Sequence, residues 1–361
     1  MNNIVGFAIG SYTEKLPHVP GACGKGIVVA LFNEETGGIE KQYTIEGMNN
    51  PSYLTWDNTN QFLYAMTESS EGEGEIQSFS LDSDNVFTLK DNQTGPGRAG
   101  CHLNTSDSGD RIFAASYVDG CLKGYPVSNG EIGKPLFNYS YSGSGPNIDR
   151  QTSPHAHQVV FSPDNKYLYV CDLGSDKIWK HGLDRKESLC VPALELPRGY
   201  GPRHLAFDPL GKYAYILCEL IPKLIVASVD GSDGSLTMTE ELLTVNESSA
   251  EIAAPAAVKV HPSGNTVALS NRFDDTIAVF KINRNTAGKN VSLEFLSRFS
   301  SMGKTPRDIT FSPSGRWLLI ANQDSDDVQV KSFNSQSGYP EEKWAPKMIT
   351  GTPVCLTFTT L

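Results

Sequence analysis

The chain has 361 residues, 39% apolar and 20% charged, a balance that excludes an intrinsically disordered polypeptide. Its formal net charge of −11 argues against broad binding to nucleic acid or to an anionic membrane surface. No apolar run approaches the roughly 18 residues that a membrane span requires, and 214–229, the longest candidate, is broken by Glu219, Pro222 and Lys223.

The first predicted element, Val5-Gly6-Phe7-Ala8-Ile9-Gly10-Ser11-Tyr12, is an apolar strand. Short strand pairs begin at Ser52 and at Cys101, and the same unit is clearest over 156–172. There a short apolar strand meets a Pro163-Asp164-Asn165 turn, and a second alternating strand follows. A four-residue loop leads on to a third strand, Lys177-Ile178-Trp179-Lys180. The unit recurs from Pro202-Arg203, from Ala256 and from Pro306-Arg307, with the turns Pro209-Leu210-Gly211, Pro262-Ser263-Gly264 and Pro313-Ser314-Gly315. The chain closes on Pro353-Val354-Cys355-Leu356-Thr357-Phe358, a first strand with no second strand after it.

One position therefore recurs at Ser52, Cys101, His157, Arg203, Ala256, Arg307 and Val354, at intervals of 46 to 56 residues. A period near 50 with three or four short strands per unit is the mark of a β-propeller. The opening segment supplies a second strand that lacks a first, and the closing segment a first that lacks a second. The expectation is an all-β, seven-bladed propeller, residues 1–361 forming a single domain, with the ring closed by a blade shared between the termini.

The first two strands of a unit run antiparallel, so the start of the first and the end of the second share one face. The seven aligned residues should look into one end of the central channel. Ser52, Cys101, Ala256 and Val354 are small, whereas His157, Arg203 and Arg307 are large and basic. The second strands end on that face with Glu68, Ser116-Tyr117, Asp172, Glu219, Asn271-Arg272 and Asn322. His155 lies two residues before His157, and His102 near the entrance one blade earlier. The candidate catalytic set is His157, Arg203, Glu219 and Arg272, with His155, Arg307, Asn322 and His102 as candidate substrate-binding residues. Guanidinium groups hold phosphate or carboxylate through paired hydrogen bonds, so this mouth suits a small anion. His204 is expected on the other side of its strand from Arg203, and His261, in a turn, is read as structural.

Other chemistry finds little support. There is no GxSxG elbow, P-loop, GxGxxG after a strand or HExxH. His155 and His157 alternate along a strand and face opposite ways, which argues against a two-histidine metal site. Glu68, Asp172 and Asn322 fall short of a cation site for want of further inward carboxylates. Seven scattered cysteines without a CxxC pair, and an N-terminus without the basic start and apolar core of a leader, point to a reduced, cytoplasmic protein.

The chain resembles the seven-bladed propeller lactonase family, which includes the propeller type of 6-phosphogluconolactonase and the fungal carboxymuconate cyclases. The resemblance runs through Ile9-Gly10-Ser11-Tyr12-Thr13, Glu35-Thr36-Gly37, Asn50-Pro51-Ser52-Tyr53-Leu54 and Ala115-Ser116-Tyr117. It continues through His155-Ala156-His157, Gly201-Pro202-Arg203-His204, Cys218-Glu219-Leu220, Ser270-Asn271-Arg272 and Pro306-Arg307-Asp308. It implies no metal or organic cofactor and leaves the substrate open between hydrolase and cyclase; the expectation is hydrolysis of 6-phosphogluconolactone or a close sugar lactone, a small anionic sugar lactone, in the pentose phosphate route, by a monomer or weak homo-oligomer. His157, Arg203, Glu219 and Arg272 match the family's proposed active-site groups, with Glu219, or second to it His157, as the base that activates water. A lactone-forming cycloisomerase acting on a carboxylated muconate is the first alternative. A non-catalytic propeller binding a protein or peptide is the second.

Overall fold

In the computed structural model, which describes residues 3–183, 190–285 and 290–360, the chain is a seven-bladed β-propeller. Blade 1 joins Pro353–Thr359 to Ile4–Ser11, Ile27–Asn33 and Ile39–Ile45, and so closes the ring as the sequence predicts. Blades 2, 4, 5, 6 and 7 are four-stranded antiparallel sheets whose inner strands are Pro51–Asp57, Ala156–Phe161, Pro202–Phe207, Ala254–Val260 and Pro306–Phe311. Blade 3 starts from Gly100–Thr105 and splits its outer edge into Glu131–Ile132 and Phe137–Ser140, both paired with Cys121–Ser128.

The turns between first and second strands follow from their residues. Asn165, Gly211, Gly264 and Gly315 all adopt φ between 56° and 73°, the left-handed region that Asn and Gly enter at least cost. His261 belongs to one such turn: its ring bonds Ser263 Oγ and the carbonyl of Gly315, each at 2.8 Å, in keeping with a structural role.

The second strands are apolar on both faces because each blade is sandwiched between two others. In blade 1, Phe7 and Ile9 pack on Trp317, Leu319 and Val330 of blade 7, whereas Ala8 packs toward Leu54 and Leu63 of blade 2. In blade 6, Val267 and Leu269 meet Tyr215 and Leu217 of blade 5, and Ala268 meets Leu318 and Ile320 of blade 7. The core is thus a ring of inter-blade layers around a channel.

What aims side chains into that channel is an irregularity common to all the inner strands. Pro51 pairs with Thr67 and Tyr53 with Met66, so Ser52 is an extra residue opposite no partner. The same slip isolates Cys101, His157, Arg203, Arg307 and Val354, and in blade 6 sets Ala256 and Ala257 against Ser270 alone. These are the seven positions that the repeat aligned. A β-bulge puts two consecutive side chains on one side of the strand. His204 therefore joins Arg203 in the channel, against the expectation that it would face the other way: its ring lies 5.5 Å from that of His157 and 5.9 Å from that of His102.

If ring closure carries stability, a chain ending at Thr352 will leave the edge of Ile4–Ser11 open and lose its cooperative thermal transition. A two-state unfolding curve for that truncation matching the full chain would contradict this.

Candidate active site

The residue just beyond each second strand, or in blade 6 the last residue of that strand, forms a rim above the bulge ring: Tyr12, Glu68, Tyr117, Leu173, Glu219, Arg272 and Gln323. One backbone hydrogen bond pins most of them. The amides of Glu68, Tyr117, Leu173, Glu219 and Gln323 donate to the carbonyls of Asn50, Ala99, His155, Gly201 and Thr305 at 2.8–3.0 Å. Bulge ring and rim enclose a cavity of about 500 Å³, with Leu16, Pro17 and His18 on one wall and Tyr117 and Phe273 on another.

Glu219 is the hub of this cavity. Its Oε2 lies 2.9 Å from Arg203 Nε and 2.8 Å from Arg272 Nη2, and its Oε1 lies 2.6 Å from Arg150 Nη2. Burial alone would raise the Glu219 carboxyl, but Arg272, Arg150 and Arg203 outweigh it and hold the group well below the usual carboxylate range. Arg272 is further fixed by its Nε on the carbonyl of Ala254 at 3.0 Å. Arg203 donates to the carbonyl of Ala256 and approaches His204 Nε2 at 3.1 Å. Burial, with Arg272 and Arg307 close by, pushes Arg203 down to about 9, so it stays cationic at neutral pH.

His157 faces the same cavity, and its Nδ1 has no hydrogen-bond partner among the described residues. Burial, aided by Arg203, lowers it well below the ordinary histidine value, so the ring is neutral at pH 7. Arg307 also lines the cavity, where Nη2 donates to the Tyr12 hydroxyl at 2.9 Å and Nη1 to Gln323 Oε1 at 3.3 Å.

The structure thus gathers five of the eight expected residues: His157, Arg203, Glu219, Arg272 and Arg307. The other three lie elsewhere. His155 stacks on Tyr117 with centroids 4.3 Å apart and bonds the Tyr117 carbonyl through Nδ1 at 2.8 Å, bracing the rim from behind. Asn322 is one residue short of the rim: its Nδ2 donates to Ser301 O and Asp327 Oδ1, and Gln323 takes the place at the mouth. His102 follows the bulge residue Cys101, stacks on Tyr53 at 4.0 Å and lines a separate cavity of about 470 Å³ at the other end of the channel.

Asp172 accepts bonds from the His155 amide and Trp179 Nε1, a capping role, and does not converge with Glu68 and Asn322 on a cation. Among the described residues no three His, Cys, Asp or Glu side chains are grouped to hold a metal ion, and no helix is long and apolar enough to cross a membrane.

Four residues of the mouth escaped the sequence reading. Arg150 sits in the loop before blade 4, outside the repeat, positioned by Asn147 Oδ1 accepting its amide at 3.1 Å. The only trace of it was the 56-residue interval between Cys101 and His157, the longest in the series. Tyr12 is the rim residue of the shared blade, and its place follows once that blade is aligned with the others. His18 lies in a loop without repeat character. Tyr117 was placed on the face but given no role; its hydroxyl accepts from Arg150 Nη2 at 3.1 Å.

Known proteins share this architecture, at 26–30% sequence identity over most of the chain. A family model described as lactonase, 7-bladed beta-propeller, matches residues 6–358. The 6-phosphogluconolactonase of Bacillus subtilis is 26% identical over 340 residues, covering 94% of this chain and 93% of that protein. A 6-phosphogluconolactonase of Formosa agariphila is 30% identical, over 91% of this chain and 93% of its own length. The solved periplasmic gluconolactonase of Pseudomonas aeruginosa superposes with a TM-score of 0.87 at 28% identity, covering 99% of both chains.

Replacing Glu219 with Ala leaves Arg203 and Arg272 buried without their counter-ion, and should cost about 3–5 kcal/mol of stability at pH 7. Because the folded carboxyl is depressed, its contribution is present above the unfolded value of about 4.3 and is lost as pH falls through the lower folded value. Denaturant midpoints of wild type and Glu219→Ala should therefore differ at pH 7 and converge on acidification; equal midpoints at pH 7 would contradict the hub role.

Proposed function

The chain belongs to the family of seven-bladed β-propeller lactonases, and from that membership we propose that it hydrolyses 6-phosphogluconolactone, or a closely related sugar lactone, to the open-chain acid. The observation that carries this reading is the convergence of Arg203, Arg272 and Arg150 on Glu219 beside a neutral His157. Four arginines (150, 203, 272 and 307) against three carboxylates (68, 219 and 324) leave the cavity with a formal charge of +1, suited to a small anion.

Arg203 receives the lactone carbonyl oxygen and stabilises the oxyanion that forms when water adds. Arg272 and Arg307 hold the phosphate. His157 is favoured over Glu219 as the base: both Glu219 oxygens are engaged by guanidinium groups and its basicity is reduced, whereas His157 is neutral and lines the cavity. His157 takes a proton from water as the oxygen–carbon bond forms, and returns it to the ring oxygen as the ester carbon–oxygen bond breaks. Glu219 holds the guanidinium groups in place against their mutual repulsion. The seven free thiols fit a reducing compartment, and we assign the protein to the cytoplasm and the pentose phosphate route.

Proton release on adding fresh 6-phosphogluconolactone, measured above spontaneous hydrolysis, tests this reading. Arg203→Ala should lower kcat/KM at least about 100-fold, and near-wild-type turnover by that variant would overturn the assignment. Because the His157 value is lowered, kcat/KM of the wild type should be level through pH 7 and through the ordinary histidine range, falling only at more acid pH as the ring protonates. The residual activity of His157→Gln should lack that acid limb; persistence of the limb would remove His157 as the base.

A further inference from the structure

Two of the carboxylates at the mouth, Glu68 and Glu219, stand three blades apart and are engaged in opposite ways. Glu219 has both oxygens occupied by arginines. Glu68, only 5% exposed, accepts the Tyr12 hydroxyl on Oε2 at 2.7 Å, while its Oε1 receives no hydrogen bond from any described residue. The nearest cationic group to Oε1 is His18 Nε2, at 3.6 Å. That nitrogen also lies 3.4 Å from the Tyr12 hydroxyl, and the side chain is half-exposed to the cavity. Burial, with Arg307 nearby, lowers the His18 value, so at neutral pH the ring does not neutralise the carboxylate. Arg307 Nη2 donates to the Tyr12 hydroxyl, which in turn donates to Glu68, so the chain of bonds fixes Oε1 with its lone pairs toward the cavity.

A carboxylate oxygen that opens on the cavity with no donor from the protein is free to accept one from a ligand. The donors that a lactone can supply are its hydroxyl groups; a second carboxylate offers none and is repelled. We propose that Glu68, oriented by Tyr12 and flanked by His18, is a hydroxyl-binding subsite that selects polyhydroxylated lactones and rejects lactones bearing additional carboxylates. This rests on the lactonase reading above and extends it to the substrate class, since it favours a sugar lactone over a carboxylated muconolactone. Sites built to bond a hydroxyl discriminate strongly against analogues that lack one, because their own polar groups are then left unpaired.

Three probes separate the outcomes: glucono-δ-lactone, δ-valerolactone, which lacks the hydroxyls, and muconolactone, which carries a carboxylate. In Glu68→Gln the ratio of kcat/KM for glucono-δ-lactone over δ-valerolactone should fall at least about tenfold, chiefly through KM, while hydrolysis of muconolactone rises. Tyr12→Phe, which keeps the carboxylate but removes its orienting donor, should lower the same ratio by less, and it serves as the second variant if Glu68→Gln folds poorly. An unchanged ratio in both folded variants, with an active wild type, overturns the subsite alone. A folded wild type inert toward 6-phosphogluconolactone and all three probes overturns the lactonase reading and the subsite with it.

Discussion

The structure turns on one extra residue per inner strand. The bulge residue pairs with nothing in its blade, so the ladder does not depend on its side chain, and both it and its successor face the channel. The fold can therefore vary these positions freely while holding their direction constant. In this chain Val354, Ser52, Cys101 and Ala256 are small and leave the volume of the cavity, while His157, Arg203 and Arg307 fill the remaining positions with basic groups. The rim above is held by a repeated backbone hydrogen bond, so its side chains are equally well aimed.

The electrostatics follow from crowding cations where water is scarce. Arg203 and Arg272 are nearly enclosed and would repel each other; Glu219 offsets that repulsion, and the attraction accounts for its depressed carboxyl. The carboxylate best placed by sequence to be a base is thereby made a poor one, and in the proposed mechanism the role falls to a histidine kept neutral by the same burial. A protein with a net charge of −11 thus carries a mouth of opposite sign at one end of the channel.

Much of this could be read from the repeat. The blade count, the ring closure and the convergence of His157, Arg203, Glu219, Arg272 and Arg307 follow from aligning one position across the units. The misplacements share a cause: a bulge or a strand end changes which of two adjacent residues faces the channel, and pattern alone does not resolve a one-residue shift. Hence Asn322 was chosen where Gln323 stands at the mouth, and His204 was turned outward where it points in. Arg150 and His18 lie in connecting loops, where no repeat constrains the chain and only tertiary packing reveals that they reach the site.

If chemistry takes place at the end of the channel that holds Glu219, a bound product will lie there. A crystal structure with 6-phosphogluconate should show the new carboxylate on Arg203, the phosphate between Arg272 and Arg307, and hydroxyls against Glu68. Product seated instead at the opposite mouth, beside His102, or failing to bind at all, would contradict this placement.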